Sequence, residues 1–284
     1  MPLVAAYAAV LLAALAHASW NALLKTSGDR VLMLAAIRLV GLVAGIVTAI
    51  IVPLPSTQAL PYLLAAAAIH YAYFGLMIAS YRVGDMNQVY PIARGIAPLL
   101  VLLPGALLAG EVFGAMSMLG VCLLSAGVLL LASGTSTSNR KAIMLALCTG
   151  VAIAGYSFLS GLGIRKGGTL LGYIAWLEIC TGIGIGMVAF AGTRGKDAMA
   201  TFAHGHWRSA VAAGVLSVGG YAIALAAMSI APIAQVVALR ETSVVFAACI
   251  GSLFFGREIW RQAHRRFRYR GRRLDPARFR IDVI

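Results

Sequence analysis

Five ionisable side chains, Arg38, Arg94, Glu178, Arg240 and Glu241, stand inside stretches that are otherwise apolar enough to cross a membrane. A charge at the centre of a bilayer is costly unless it is paired or faces water, so each of the five is a candidate functional group. Arginine's planar fork matches the oxygen pair of a carboxylate or phosphonate, and a glutamate in such a place can carry a proton. Arg38 lies three residues before Gly41, and Glu178 lies four before Gly182. That spacing puts them on nearly the same face of corresponding helices. Two readings follow: a fixed ion pair that holds the bundle together, or a pair that faces a cavity and couples to protons. Arg94 and Arg240 lie near helix starts that carry a proline, Pro91 and Pro232, where proline costs little. They either snorkel to an interface or face a cavity. Gln88 and Tyr90 before Arg94, and Glu241 beside Arg240, favour the cavity.

His17, Trp20, Asn21, His70, Tyr71, Tyr73 and Tyr156 add aromatic and polar groups within the spans. Taken singly, Trp and Tyr read as interfacial anchors, whereas the Asn21 amide needs partners in hydrocarbon. His204 and His206 have no third ligand nearby and read as part of a wet connecting loop. Cys122, Cys148, Cys180 and Cys249 lack the paired spacing of thiolate metal sites and read as small core residues. No metalloprotease helix, nucleophile elbow or phosphate loop is present. The expectation is a protein without metal or other cofactor, and not an enzyme.

The elements that position these groups follow from composition. The chain has 284 residues, of which 61% are hydrophobic and 11% charged, too little polar surface to cover a soluble globule. A helix of about 20 apolar residues crosses the hydrocarbon core and satisfies its own backbone. Nine stretches qualify, at about 3–24, 31–52, 60–80, 87–109, 113–132, 142–163, 170–191, 207–230 and 232–255. The substantial connections are 134–141 and 192–206. The expected fold is an all-α polytopic membrane protein.

The chain also repeats itself. VYPIARGIAPLLVLLPGALLAGE (89–111) is echoed by VVALRETSVVFAACIGSLFFGRE (236–258). Ser19, Trp20 and Asn21 correspond to Gly155, Tyr156 and Ser157, and the GxxxG of Gly41 and Gly45 returns as Gly182 and Gly186. These glycine pairs read as close helix packing. Five helices in the first unit is an odd number, so the second unit enters the membrane from the opposite side. Inverted repeats of this kind carry a binding site between them near the midplane. Lys25, Arg30, Arg82, Arg140, Lys141, Arg194, Lys196, Arg208 and the C-terminal tail fall on one side, against Arg165 and Lys166 on the other. The positive-inside rule then puts the N-terminus outside.

With these residues assembled, the chain resembles the EamA branch of the drug/metabolite transporter superfamily. HASWNALLK (17–25), YPIARGIAPLL (90–100), the LLAGE ending at Glu111 and ALRETSVVFAACIGSLFFG (238–256) carry the likeness. The resemblance implies ten helices in two inverted units, both termini usually cytoplasmic, and transport of small molecules. That orientation conflicts with the charge distribution. The domains expected are a first repeat of five helices (1–133), a linker (134–141), a second repeat of four helices (142–256) and an Arg-rich tail (257–284).

The likeness fails where a tenth helix should begin. Arg94 aligns with Arg240 and Gly110 with Gly256 at one offset of 146, and Glu111 then meets Arg257. The last segment holds ten arginines and cannot span a bilayer. Either it is a basic tail with Trp260, Phe267 and Tyr269 against anionic lipid, or an out-of-frame translation replaces the last helix. The tail concentrates the formal charge of +14, so nucleic acid is not an expected partner. The partners expected are the bilayer and a small-molecule substrate, and the oligomeric state stays open. The functional expectation is an inner-membrane permease or exporter of an amino acid or similar small zwitterion or anion. Trp20, Asn21, Tyr90, Arg94, Tyr156, Arg240 and Glu241 are its expected substrate contacts. The alternatives are an inactive or partner-dependent membrane subunit and, behind it, a membrane-embedded lipid or phosphoryl-transfer enzyme.

Overall fold

The computed structural model describes residues 3–27, 30–84, 86–134, 139–191 and 196–250. Within them all regular structure is helical: α1 (Leu3–Thr26), α2 (Arg30–Ile51), α3 (Leu60–Val83), α4 (Met86–Leu108), α5 (Ala115–Leu130), α6 (Arg140–Arg165), α7 (Leu170–Ala191), α8 (Lys196–Met228), α9 (Ile233–Glu241) and α10 (Ser243–Ile250). Six of the described stretches are long and apolar enough to cross a membrane, in α1, α2, α3, α4, α6 and α8. Their outward faces carry large apolar side chains such as Val4, Ile50 and Leu107, each more than two-thirds exposed. Such a surface suits acyl chains rather than water, and the molecule is an all-α protein of membrane type.

Helix pairing sets the interior. α3 lies along α6, α1 along α8 and α2 along α7, while α4 packs on α6 and α9, and α1 meets α9 and α10. The core at these contacts is built largely from small residues, including Ala6, Ala66, Ala93, Ala97, Ala224 and Ala234, which let helix backbones approach. The glycine pairs act in this way. A Cβ on Gly45 would lie 2.7 Å from the Ala175 carbonyl oxygen, and one on Gly182 would lie 2.9 Å from Leu42 Cβ. One on Gly41 would strike the Glu178 carboxylate. Gly186 lies outside the residues whose side-chain surroundings are described.

Local chemistry fixes the ends. Asn139 caps α6 by accepting from the Lys141 and Ala142 amides at 3.0 and 3.4 Å, and its own amide donates to the Val83 carbonyl at 2.7 Å. After α4, Gly110 takes φ +64°, open to glycine without strain. The chain folds back there, and the Glu111 amide donates to the Gly105 carbonyl at 3.0 Å.

Several expectations need correction. The fifth span is shorter than expected, with 16 α-helical residues followed by a 3-10 turn at Leu131–Gly134. The connection expected over 192–206 is helical from Lys196, because Ala, Met and Lys in that stretch favour helix as much as loop. His206 therefore belongs to α8 rather than to a wet loop. The ninth span is divided at Thr242, whose hydroxyl donates to the Leu239 carbonyl at 2.6 Å and whose amide takes the same acceptor at 3.2 Å. This back-bonding tightens the turn and ends α9 at Glu241. Cys122, Cys148 and Cys249 face outward rather than into the core, and Cys180 is half-buried. A thiol is apolar enough for a lipid-facing position. Residues 251–284, including Arg257, Trp260, Phe267 and Tyr269, lie outside the described residues.

Candidate functional site

Two ion pairs cross the interior. Arg94 of α4 meets Glu241 at the end of α9, with Nη1 3.2 Å from Oε1 and 3.5 Å from Oε2. Both side chains are at most 5% exposed. The snorkelling reading of Arg94 therefore fails, because the guanidinium is buried and held from two sides. Its Nη2 lies 2.6 Å from His17 Nε2 on α1. A guanidinium can only donate, so Nε2 is the acceptor and the neutral ring carries its proton on Nδ1. The second pair joins Arg38 of α2 to Glu178 of α7 at 3.5 Å, and Arg38 also donates to Ser217 of α8 at 2.7 Å. Arg38 Nε and Glu178 Oε2 are buried and lack hydrogen-bond partners among the described residues, so this pair is only partly satisfied.

Aromatic rings form a belt between Arg94 and Arg240. The Arg94 guanidinium lies 5.4 Å from the centre of the Tyr90 ring, and Arg240 lies 5.2 Å from that of Tyr221 on α8, both cation–π distances. Tyr221 meets His70 edge-on at 6.0 Å, His70 lies against Tyr156 at 3.9 Å, and Tyr156 meets Tyr73 at 5.6 Å. Tyr73, Tyr90 and Arg94 then line a narrow cleft between α3, α4 and α6, completed by Met77, Ser80, Val89, Ala93, Thr149 and Ile153. Its free space holds about one water.

Of the residues expected from the sequence, Tyr90, Arg94 and Glu241 come together directly. Tyr156 and Arg240 reach the same belt through His70 and Tyr221. Trp20 touches it by an edge-on contact with His17 at 5.1 Å, and otherwise packs with Met33, Ile37, Ala210 and Ala213. Asn21 turns to its own helix, donating to the His17 carbonyl at 2.8 Å.

Arg240 differs from the other interior arginines. It is half-buried, and no carboxylate of the described residues lies within ion-pair distance of it, while Arg38 and Arg94 each have one. Among the described interior charges, two arginines are neutralised and one faces an aromatic ring.

Sequence reasoning overlooked four participants. Tyr221 and Ser217 lie on α8 in an apolar run, where the hydroxyl of Tyr221 donates to Ser160 at 3.2 Å. Glu111 and Arg165 form a third ion pair at 2.8 Å, Glu111 just past the end of α4 and Arg165 the last residue of α6. The chain matches no protein-family model, and no curated protein is significantly similar to it.

Proposed function

We propose that the chain is a transporter of a small anionic or zwitterionic metabolite, such as an amino acid, working by alternating access in a cell (inner) membrane. The reading takes the molecule as two inverted repeats, α1–α5 and α6–α10. It is supported by reciprocal packing: α1 on α8 is the counterpart of α6 on α3, α4 on α6 that of α9 and α10 on α1, and α2 meets α7. A discontinuous helix at the centre, α9 and α10 with Glu241 at the junction, is a recurring device of such sites. The EamA resemblance points the same way.

The observation that carries the substrate class is the charge balance of the belt. Arg240 lacks a carboxylate partner among the described residues, and Arg94 and Glu241 join the two halves beside it. A substrate carboxylate on Arg240 supplies the missing counter-charge, and its remainder lies among Tyr221, His70, Tyr156 and Tyr73. Glu241 and Arg94 are the groups such an anion would rearrange, and Glu241 is the candidate to take up a proton when its partner is drawn away. Reconstituted protein should accelerate flux of a carboxylate-bearing solute, and Arg240→Gln should reduce that flux about thirtyfold or more, the loss of one charge-assisted contact. Unchanged flux in Arg240→Gln would remove Arg240 from the site.

A further inference from the structure

We propose that Glu111 and Arg165 are the lock of a gate. Their ion pair holds shut the end of the bundle opposite the cleft, and its release opens the central belt on that side. The proposal rests on the transporter reading and adds which contact must break.

The lock gathers one end of five helices. Arg165, the last residue of α6, donates from Nε to the Met228 carbonyl at 2.8 Å and from Nη2 to the Ala231 carbonyl at 2.7 Å. Nη2 also lies 2.8 Å from Glu111 Oε1. The same oxygen accepts from the Ile233 amide at 2.7 Å, capping α9. Tyr7 of α1 adds a hydrogen bond to Gln235, two residues further along α9. Thus α1, the turn after α4, and α6 are all tied to the α8–α9 junction. The cleft lies towards the other end, beside Ser80 in the last turn of α3 and Val89 and Tyr90 in the first turns of α4.

Two features fit a contact made to release rather than a permanent clamp. Glu111 Oε2 is buried without a hydrogen-bond partner among the described residues, so the closed state leaves a carboxylate oxygen unsatisfied. The Arg165 side chain is 26% exposed, so water can receive the guanidinium when it lets go. The lock also acts on the right element. α9 has nine residues, begins at the Glu111 cap and ends at Glu241 beside Arg240. The Thr242 turn separates it from α10, so α9 can shift as a unit between the lock and the belt.

The test uses the full chain in nanodiscs, with Cys122, Cys148, Cys180 and Cys249 replaced by serine and a hydrophilic maleimide as probe. One reporter is Ala234→Cys, fully buried in the first turn of α9, and a control reporter is Ala146→Cys, fully buried in α6. Glu111→Gln keeps an acceptor for the Ile233 amide and removes only the charge. It is expected to raise labelling at Ala234→Cys about tenfold and to leave Ala146→Cys slow. Arg165→Lys, which keeps the charge but loses the fork, should give a smaller rise. Unchanged labelling in both variants overturns the gate. A rise at both reporters also overturns it, since Glu111 would then hold the fold together as a fixed clamp. Labelling requires no substrate, so absent flux would count against the transporter reading and leave this outcome standing.

Discussion

Removing one member of the Arg94–Glu241 pair leaves the other without its ion-pair partner in a site where both side chains are at most 5% exposed. Glu241→Leu and Arg94→Met should each therefore destabilise the protein by about 3–5 kcal/mol, whereas the double replacement should restore most of that loss. Melting of the four proteins in one detergent measures the coupling, and additive losses would mean that the pair does not interact as described. Arg240→Gln should behave differently, shifting stability by less than about 1 kcal/mol while impairing flux, because no carboxylate of the described residues is orphaned by it. The five midspan charges were legible in the sequence because hydrocarbon makes each of them expensive. Their partners were less so. Tyr221 in an apolar run reads as an interfacial anchor, and Glu111 sits just past a helix end, where a charge is cheap and invites no explanation.

Glycine substitutions separate close packing from mere helix interior. In α2, Gly45→Ala would place a methyl 2.7 Å from the Ala175 carbonyl oxygen, so α2 and α7 must part. A loss of about 1–3 kcal/mol is expected. In α5, Gly120→Ala meets nothing within 4 Å and should be neutral or stabilising by up to about 1 kcal/mol. Equal melting temperatures for the two variants would contradict the α2–α7 contact. The GxxxG spacing announced this contact because a four-residue interval returns to one helix face. The division of the ninth helix was not announced. Thr242 and Ser243 are compatible with an apolar helical run, and only the bond of Thr242 to the Leu239 carbonyl shows that the turn tightens there. The start of α8 at Lys196 was hidden for the opposite reason, since charged and small residues after Gly192 look like a loop while favouring helix.

For the molecule as a whole, α1 packs with α8 and α3 with α6, a reciprocity that the proposed inverted duplication would give, as it would the echo of 89–111 in 236–258. Arg165 is paired with Glu111 and Lys166 lies near the Tyr62 ring, and both still count among the basic residues opposing an outside N-terminus, because the rule counts Lys and Arg rather than net charge. The cleft then lies towards the end that carries Arg82, Arg140 and Lys141, the end that the positive-inside rule places in the cytoplasm. The most direct test of the account is flux into proteoliposomes, with a panel of radiolabelled amino acids and small mono- and dicarboxylates. The account predicts protein-dependent, saturable uptake of at least one carboxylate-bearing solute, reduced about thirtyfold or more by Arg240→Gln in a variant that melts like the parent. Uptake equal to that of empty liposomes across the panel, or uptake indifferent to Arg240→Gln, would contradict it.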